Sequence, residues 1–185
     1  MKPVFVSSRG QILPHSHLWF GVFAPDSRHD FGTFFLGYVI HFNLYYPTMN
    51  YWLLKTEPEE WSWKQQVKSG AKGAEWNGVR NFQARRNLTK MKMGDKCFFY
   101  HTGKEKKIVG IVKIIKEHFL DKTDKTHKFV SVTVKALIPL INAVTLQKIK
   151  KNKVFKDFSL VKQSRLSVLE VDLKYWKKIC KMGKV

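Results

Sequence analysis

Between Lys96 and Leu137 the chain holds three runs suited to β-strands, joined by connections too short for anything but tight turns. The first, Lys96–Thr102 (KCFFYHT), is rich in aromatics and is separated by Gly103–Lys107 from the apolar run Ile108–Phe119. The polar turn Asp121–His127 leads into the third, Lys128–Leu137, where Val130, Val132, Val134 and Ala136 alternate with Ser131, Thr133 and Lys135. That alternation is the two-residue period of a half-buried strand. A parallel crossover needs a dozen residues or more, so the three runs form an antiparallel meander. In the first run, alternation sets Cys97, Phe99 and His101 on one side and Phe98, Tyr100 and Thr102 on the other.

The flanking segments supply helices and shorter strands. Tyr51–Leu54 is a short β-type run ended by Glu57-Pro58, and Ser62 is placed to cap a helix over Trp63–Lys68 closed by Ser69-Gly70. Trp76-Asn77-Gly78 reads as a turn, followed by Asn81 as N-cap of a helix over Phe82–Met91, with Phe82, Leu88 and Met91 roughly on one side. Thr145 caps a short helix (LQKIKKN), Val154–Leu160 forms another turn, and Arg165–Val171 returns as a strand. Asp172 caps a terminal helix whose Leu173, Trp176, Ile179 and Cys180 share a face. The fold class is therefore α+β: a curved, mostly antiparallel sheet or small barrel flanked by helices.

Charge divides the chain in two. The formal net charge is +20, yet residues 1–48 hold three basic and two acidic side chains, leaving +19 for residues 49–185. The same 48 residues carry four of the six prolines and 11 of the 26 aromatics. Phe31–Tyr46 is apolar, but its 16 residues fall short of the ~20 that span a bilayer, and His41 and Asn43 interrupt it. The start Met1-Lys2-Pro3 suits a secretory signal poorly. The expectation is that folding begins near Met49 and that residues 1–48 are an extension outside the fold; a membrane or docking segment and an added strand are the alternatives. Cys97 and Cys180 give no disulfide framework, and no Cys/His spacing suggests a metal or any cofactor. The expected setting is intracellular, cytoplasmic or, in a eukaryote, nuclear.

Such a basic surface calls for an anionic partner. The chain uses 28 lysines and six arginines, and beyond the leader the arginines are Arg80, Arg85, Arg86 and Arg165, in two short segments. The guanidinium fork holds a phosphate or base edge by two parallel hydrogen bonds, so arginine in a lysine-rich chain marks places where geometry matters; packing against a carboxylate is the plain alternative. Around Arg80, Trp76 offers a face for a nucleobase or a core side chain, Asn77 and Asn81 offer amides able to read a base edge, and Gly78 leaves room for close backbone approach. Lys55-Thr56-Glu57 and Tyr100-His101-Thr102 fall at strand ends.

The strings YWLLKTEPEEWSW, WNGVRNFQARRNLTKMKMGD, FFYHT, IVGI and VTLQKIK…LVKQSRLSV, in this order, resemble the EVE-domain family of the PUA-like superfamily over about residues 50–182. The resemblance implies a PUA-like β-barrel with helices outside, related to YTH domains that hold a methylated base in an aromatic pocket. It also implies a nucleic-acid binder whose ligand is a modified base, notably modified cytosine in DNA. By position it assigns a base pocket to Lys55, Thr56, Glu57, Trp76, Asn77, Gly78, Val79, Arg80, Asn81, Tyr100, His101, Thr102, Arg165, Leu166 and Ser167. Thr56 and Thr102 replace the usual serines, Arg86 stands where asparagine is common, and Ala143 where proline is frequent.

The function expected is thus non-enzymatic reading of a nucleobase in DNA or RNA, with Arg85, Arg86, Lys90, Lys92 and other rim lysines on the backbone phosphates. Two alternatives differ in class. Glu57 and His101 could act as acid and base on a nucleotide or RNA, although no nucleophile–base pair or phosphate loop accompanies them. The basic face and the leader could instead associate with a membrane.

Overall fold

The computed structural model describes residues 49–185; the extension, signal and membrane readings of residues 1–48 lie outside the described residues. Six strands form one mixed sheet curved into a half-barrel: β1 (Tyr51–Thr56), β2 (Ala74–Trp76), β3 (Lys96–His101), β4 (Lys107–Leu120), β5 (Val130–Thr145) and β6 (Val168–Glu170), in the order β2-β5-β4-β3-β1-β6. The β3-β4-β5 meander is present as its connections require. β1 runs parallel to β3 and antiparallel to β6, which makes the sheet mixed. Helices α1 (Trp63–Lys68), α2 (Phe82–Lys90), α3 (Leu146–Lys151), α4 (Ser159–Lys162) and α5 (Leu173–Gly183) surround it. Among the described residues no helix is long and apolar enough to cross a membrane.

Caps fix three helix starts where the sequence places them, whereas Asp172 stands at the start of α5 without a side-chain capping hydrogen bond. Ser62 and Gln65 form a reciprocal capping box on α1, Asn81 accepts from the Ala84 N–H at 3.0 Å, and Thr145 accepts from the Lys148 N–H at 3.2 Å. Each satisfies a backbone donor that a helix otherwise leaves unpaired.

β3 explains how the core is built. Its residues from Cys97 to His101 are all buried, because both faces of the strand are covered. On the Phe99 face, Trp63 and Trp76 stand edge-on to the Phe99 ring at 5.4 and 5.5 Å. On the Phe98 face, Trp176 of α5 stacks on Phe98 at 4.0 Å and tilts against Tyr51 at 4.4 Å. Such aromatic pairs add ~0.5–1.5 kcal/mol each beyond the area they bury.

Several local expectations are corrected. Trp76 ends a short strand before the turn begins: Ala74, Glu75 and Trp76 pair with Val134, Thr133 and Val132. β5 extends well beyond Leu137, to Thr145, through register shifts against β4. The returning strand is confined to Val168–Glu170, leaving Arg165–Ser167 in the preceding loop. Phe82 is 59% exposed and leans on Phe129, because the buried stripe of α2 is Ala84 and Leu88, which continues into Met91. Leu173 is 48% exposed, and Tyr175 takes the buried place on α5. Ser131, on the polar side of the β5 alternation, is buried, and its hydroxyl has no partner.

Candidate functional site

A cavity of about 840 Å³ opens at the ends of β1 and β2. Its walls are Lys55 and Thr56 from β1, Glu60 and Trp61 from the following turn, Ser69, the stretch Gly73–Arg80, and Ser167. The WNGVR segment therefore lines it continuously. Trp76 is only 7% exposed, being held edge-on to Phe99, so it is at once a core residue and part of the wall. Trp61 is more open, and its indole N–H donates to the Gln66 side chain at 2.9 Å. Gln66 is buried and donates in turn to the Val134 carbonyl, tying this wall to β5. Gly78 has φ +76, the left-handed region that favours glycine.

The loop is held by one carboxylate. Buried Asp121, in the turn between β4 and β5, accepts from the Gly78 N–H at 2.9 Å, Arg80 Nη1 at 2.7 Å, and the Thr123 N–H and hydroxyl at 2.8 and 2.7 Å. Burial pushes its pKa up, but the Thr123 hydroxyl, the Arg80 guanidinium and the two backbone N–H groups outweigh that and hold it at about 2. Arg80 also donates to the Thr123 hydroxyl at 2.7 Å, and its guanidinium lies 5.6 Å from the centre of the Phe129 ring. Its fork is thus engaged by the protein itself.

Lys55 bridges to a second, smaller site. Its ammonium donates to the carbonyls of Gln163 and Ser164 at 3.3 and 2.9 Å, and burial lowers its pKa to about 8. Those two residues border a cleft of about 360 Å³ with Asn81, Gln83, Lys162, Arg165 and Leu166. The two sites meet along the chain at Arg80/Asn81 and at Leu166/Ser167. The Asn81 side-chain oxygen is occupied by the cap of α2, which leaves its amide N–H groups toward solvent or ligand.

The fifteen pocket positions assigned from sequence thus separate. Lys55, Thr56, Trp76, Asn77, Gly78, Val79, Arg80 and Ser167 line the larger cavity; Asn81, Arg165 and Leu166 line the cleft. Glu57, Tyr100, His101 and Thr102 line neither. Glu57 is exposed, and Thr102 donates from its N–H and its hydroxyl to the Thr56 carbonyl at 2.8 and 3.2 Å, so it holds the end of β1. Buried His101 accepts from the Trp63 N–H through Nε2 and shares Nδ1 with Glu105, a contact that lowers the Glu105 pKa. Burial pushes the Tyr100 phenol up to about 12. On and beyond α2, Arg86 and Lys90 are exposed and Arg85 is half-buried, whereas Lys92 pairs with Glu117 at 3.1 Å.

Sequence reasoning missed Trp61, Glu60, Ser69 and Asp121. Asp121 and Asp124 each precede a threonine by two residues, and each accepts from that threonine's N–H and hydroxyl. This turn chemistry was visible in DKTDKT, but the reach of Asp121 to Gly78 and Arg80 was not.

Comparison with known proteins gives the family and the fold. Thymocyte nuclear protein 1 of Gallus gallus is 36% identical over 132 residues, which cover 65% of this chain and 54% of that protein. The chain spans only 37% to 67% of the length of the vertebrate relatives. A Rhodopseudomonas palustris protein solved by NMR is 48% identical with a TM-score of 0.70, covering 74% of this chain and 94% of its own. Human THYN1, solved in complex with DNA containing 5-methylcytosine, is 26% identical with a TM-score of 0.64, covering 74% and 98%. The family model described as EVE domain matches residues 50–182, and the chain belongs to the EVE-domain family.

Proposed function

We propose that this domain binds nucleic acid and reads a modified base, with 5-methylcytosine in DNA as the leading candidate. The observation that carries the reading is the cavity of about 840 Å³, walled by Trp76 and Trp61 in a segment whose backbone is fixed by Asp121. The human relative, solved with DNA containing 5-methylcytosine, supports it. A base presented from a single strand, or flipped from a duplex at a cost of a few kcal/mol, enters the cavity. Stacking on tryptophan returns ~1–3 kcal/mol. Asn77 and Ser167, which line the cavity, address the base edge. Asn81 and Arg165 in the adjoining cleft take the neighbouring nucleotide, and Lys55, Arg85, Arg86 and Lys90 approach the phosphates.

The activity is binding, not turnover. His101, the most plausible base for a catalytic alternative, spends both ring nitrogens on Trp63 and Glu105. The deciding experiment titrates the full chain with single- and double-stranded DNA, with and without 5-methylcytosine, at two salt concentrations. Tighter binding of the methylated oligonucleotide, with affinity falling steeply as salt rises, is expected. Equal, weak and salt-independent binding would refute the reading.

A further inference from the structure

The sheet has two faces, and Trp76 in the cavity wall lies on the Phe99 face. On the other, Lys96 pairs with Lys113 and Lys113 with Lys135, so three lysines stand side by side across β3, β4 and β5. Strand alternation sets this row on the Phe98 face, away from Phe99 and Trp76. Directly opposed residues lie ~4.5–5.5 Å apart, and like charges at that spacing cost stability. No carboxylate relieves them: the ion pairs among the described residues engage Lys92, Lys107, Lys122 and Lys162, and none of these three.

Helix α5 continues the row. It packs Trp176 on Phe98 of this same face, buries Tyr175 against Phe155 and Phe158, and leaves Lys177, Lys178 and Lys181 exposed, with no acidic residue in the helix. Lys181 follows Lys177 and Lys178 at spacings of four and three, where like charges repel. Row and helix adjoin: Trp176 stacks on Phe98, two residues from Lys96 on the same face of β3.

We propose that this face is a second nucleic-acid contact surface, on which Lys96, Lys113, Lys135, Lys177, Lys178 and Lys181 hold phosphate backbone without reading a base. It rests on the nucleic-acid reading above and extends it beyond the cavity to the lysines of the Phe98 face. The chemistry favours that partner. Lysine is a point charge that takes phosphate without a fixed orientation, whereas recognition of a particular carboxylate favours the arginine fork, which this face lacks. The apolar side of α5 is already spent on Phe98 and Tyr51, so a lipid surface would be held by charge alone, without the apolar burial that strengthens interfacial binding. A dense, regular polyanion fits repelling lysines best, because binding releases its condensed counterions.

The test uses the full chain, a duplex of about 30 base pairs with and without 5-methylcytosine, and two triple variants: K96Q/K113Q/K135Q and K177Q/K178Q/K181Q. The exposed α3 lysines, as K148Q/K150Q/K151Q, serve as control. Each phosphate contact contributes ~0.9 to the slope of log affinity against log salt, so each test variant should flatten the slope by ~2–3. At fixed salt, each should leave the ratio of methylated to unmethylated affinity unchanged. Relief of repulsion should leave the urea midpoint equal or higher, which separates lost contact from lost fold. A slope no flatter than the control's overturns the proposal. So does wild-type binding to phosphatidylserine vesicles or polyglutamate that the variants lose while their DNA slope stays intact. If the wild type binds no DNA at either salt, the nucleic-acid reading itself fails; if it prefers 5-methylcytosine but the slopes match the control, only the second surface does.

Discussion

Replacing Asp121 by asparagine removes one charge from a buried point where two loops meet. The carboxylate satisfies four donors: the Gly78 N–H, Arg80 Nη1, and the N–H and hydroxyl of Thr123. The fall of its pKa from 3.8 to about 2 corresponds to ~2 kcal/mol of folded-state preference for the charged form, at ~1.4 kcal/mol per pH unit. Asparagine loses that preference and turns an amide N–H₂ toward Arg80 or Gly78, setting donor against donor. With the usual penalty of ~1–3 kcal/mol for an unsatisfied buried group, the total loss is ~3–5 kcal/mol at pH 7.

The pH dependence follows from the direction of the shift. A folded pKa held below the unfolded one contributes stability that is complete above about pH 4 and vanishes as the pH falls through about 2. Urea unfolding of both proteins at pH 7, 5, 3 and 2.5 should therefore give a gap that narrows with acid at constant m-value. Asp124→Asn is the control. Asp124 accepts from Thr126, Lys128 and Phe129, all within its own turn, and the Thr126 hydroxyl leads the donors that hold its pKa well down. Both variants should lose stability, but only Asp121→Asn should weaken discrimination of the methylated base. A pH 7 difference under ~0.5 kcal/mol, or one that persists undiminished at pH 2.5, would refute the account of this network.

Three further outcomes follow from single residues. Burial brings Lys55 to about 8, so its ammonium deprotonates near that pH; nucleic-acid affinity should fall between pH 7 and 9 by anisotropy, and Lys55→Arg should abolish that fall. A flat wild-type profile would remove Lys55 from the interface. Gly73 has φ +67, and a Cβ there would lie 2.5 Å from the Val134 carbonyl oxygen, so Gly73→Ala should cost ~2–4 kcal/mol in urea unfolding. Ser131→Ala should stabilise by ~1 kcal/mol, because the buried hydroxyl it removes has no partner; a lowered urea midpoint would contradict this.

The meander, the three side-chain caps and the faces of β3 were legible because alternation, turn residues and N-caps act over a few positions. What escaped depends on partners distant in the chain. β2 is three residues long and exists through its pairing with β5 nearly sixty residues later, so its sequence alone reads as a turn. Ser131 occupies a polar position in the strand pattern, yet both faces of β5 are covered there. In the candidate site, the WNGVR segment was visible as a cluster of base-reading residue types. Its restraint was not, since Asp121 lies 41 residues beyond Arg80 in what reads as a plain connection.

That separation changes what the arginines mean. Placed beside Trp76 and Asn77, Arg80 suggested a fork aimed at a phosphate or base, but two of its nitrogens are committed to Asp121 and Thr123. The bland alternative for an arginine, packing against a carboxylate, holds at this position. Arg80 acts as a strut: with Asp121 it fixes the backbone of Gly78 and Val79, and so the spacing of Trp76 and Asn77 across the cavity. On the proposed reading, recognition would fall to cavity-lining groups the fold leaves uncommitted, chiefly Asn77, Ser167 and the half-buried Trp61. Pre-organising that loop before ligand arrives spends conformational entropy during folding, so that less is lost on binding. On that reading, short polar side chains would discriminate through fit and desolvation more than through charge, as a ligand distinguished by a single methyl group requires.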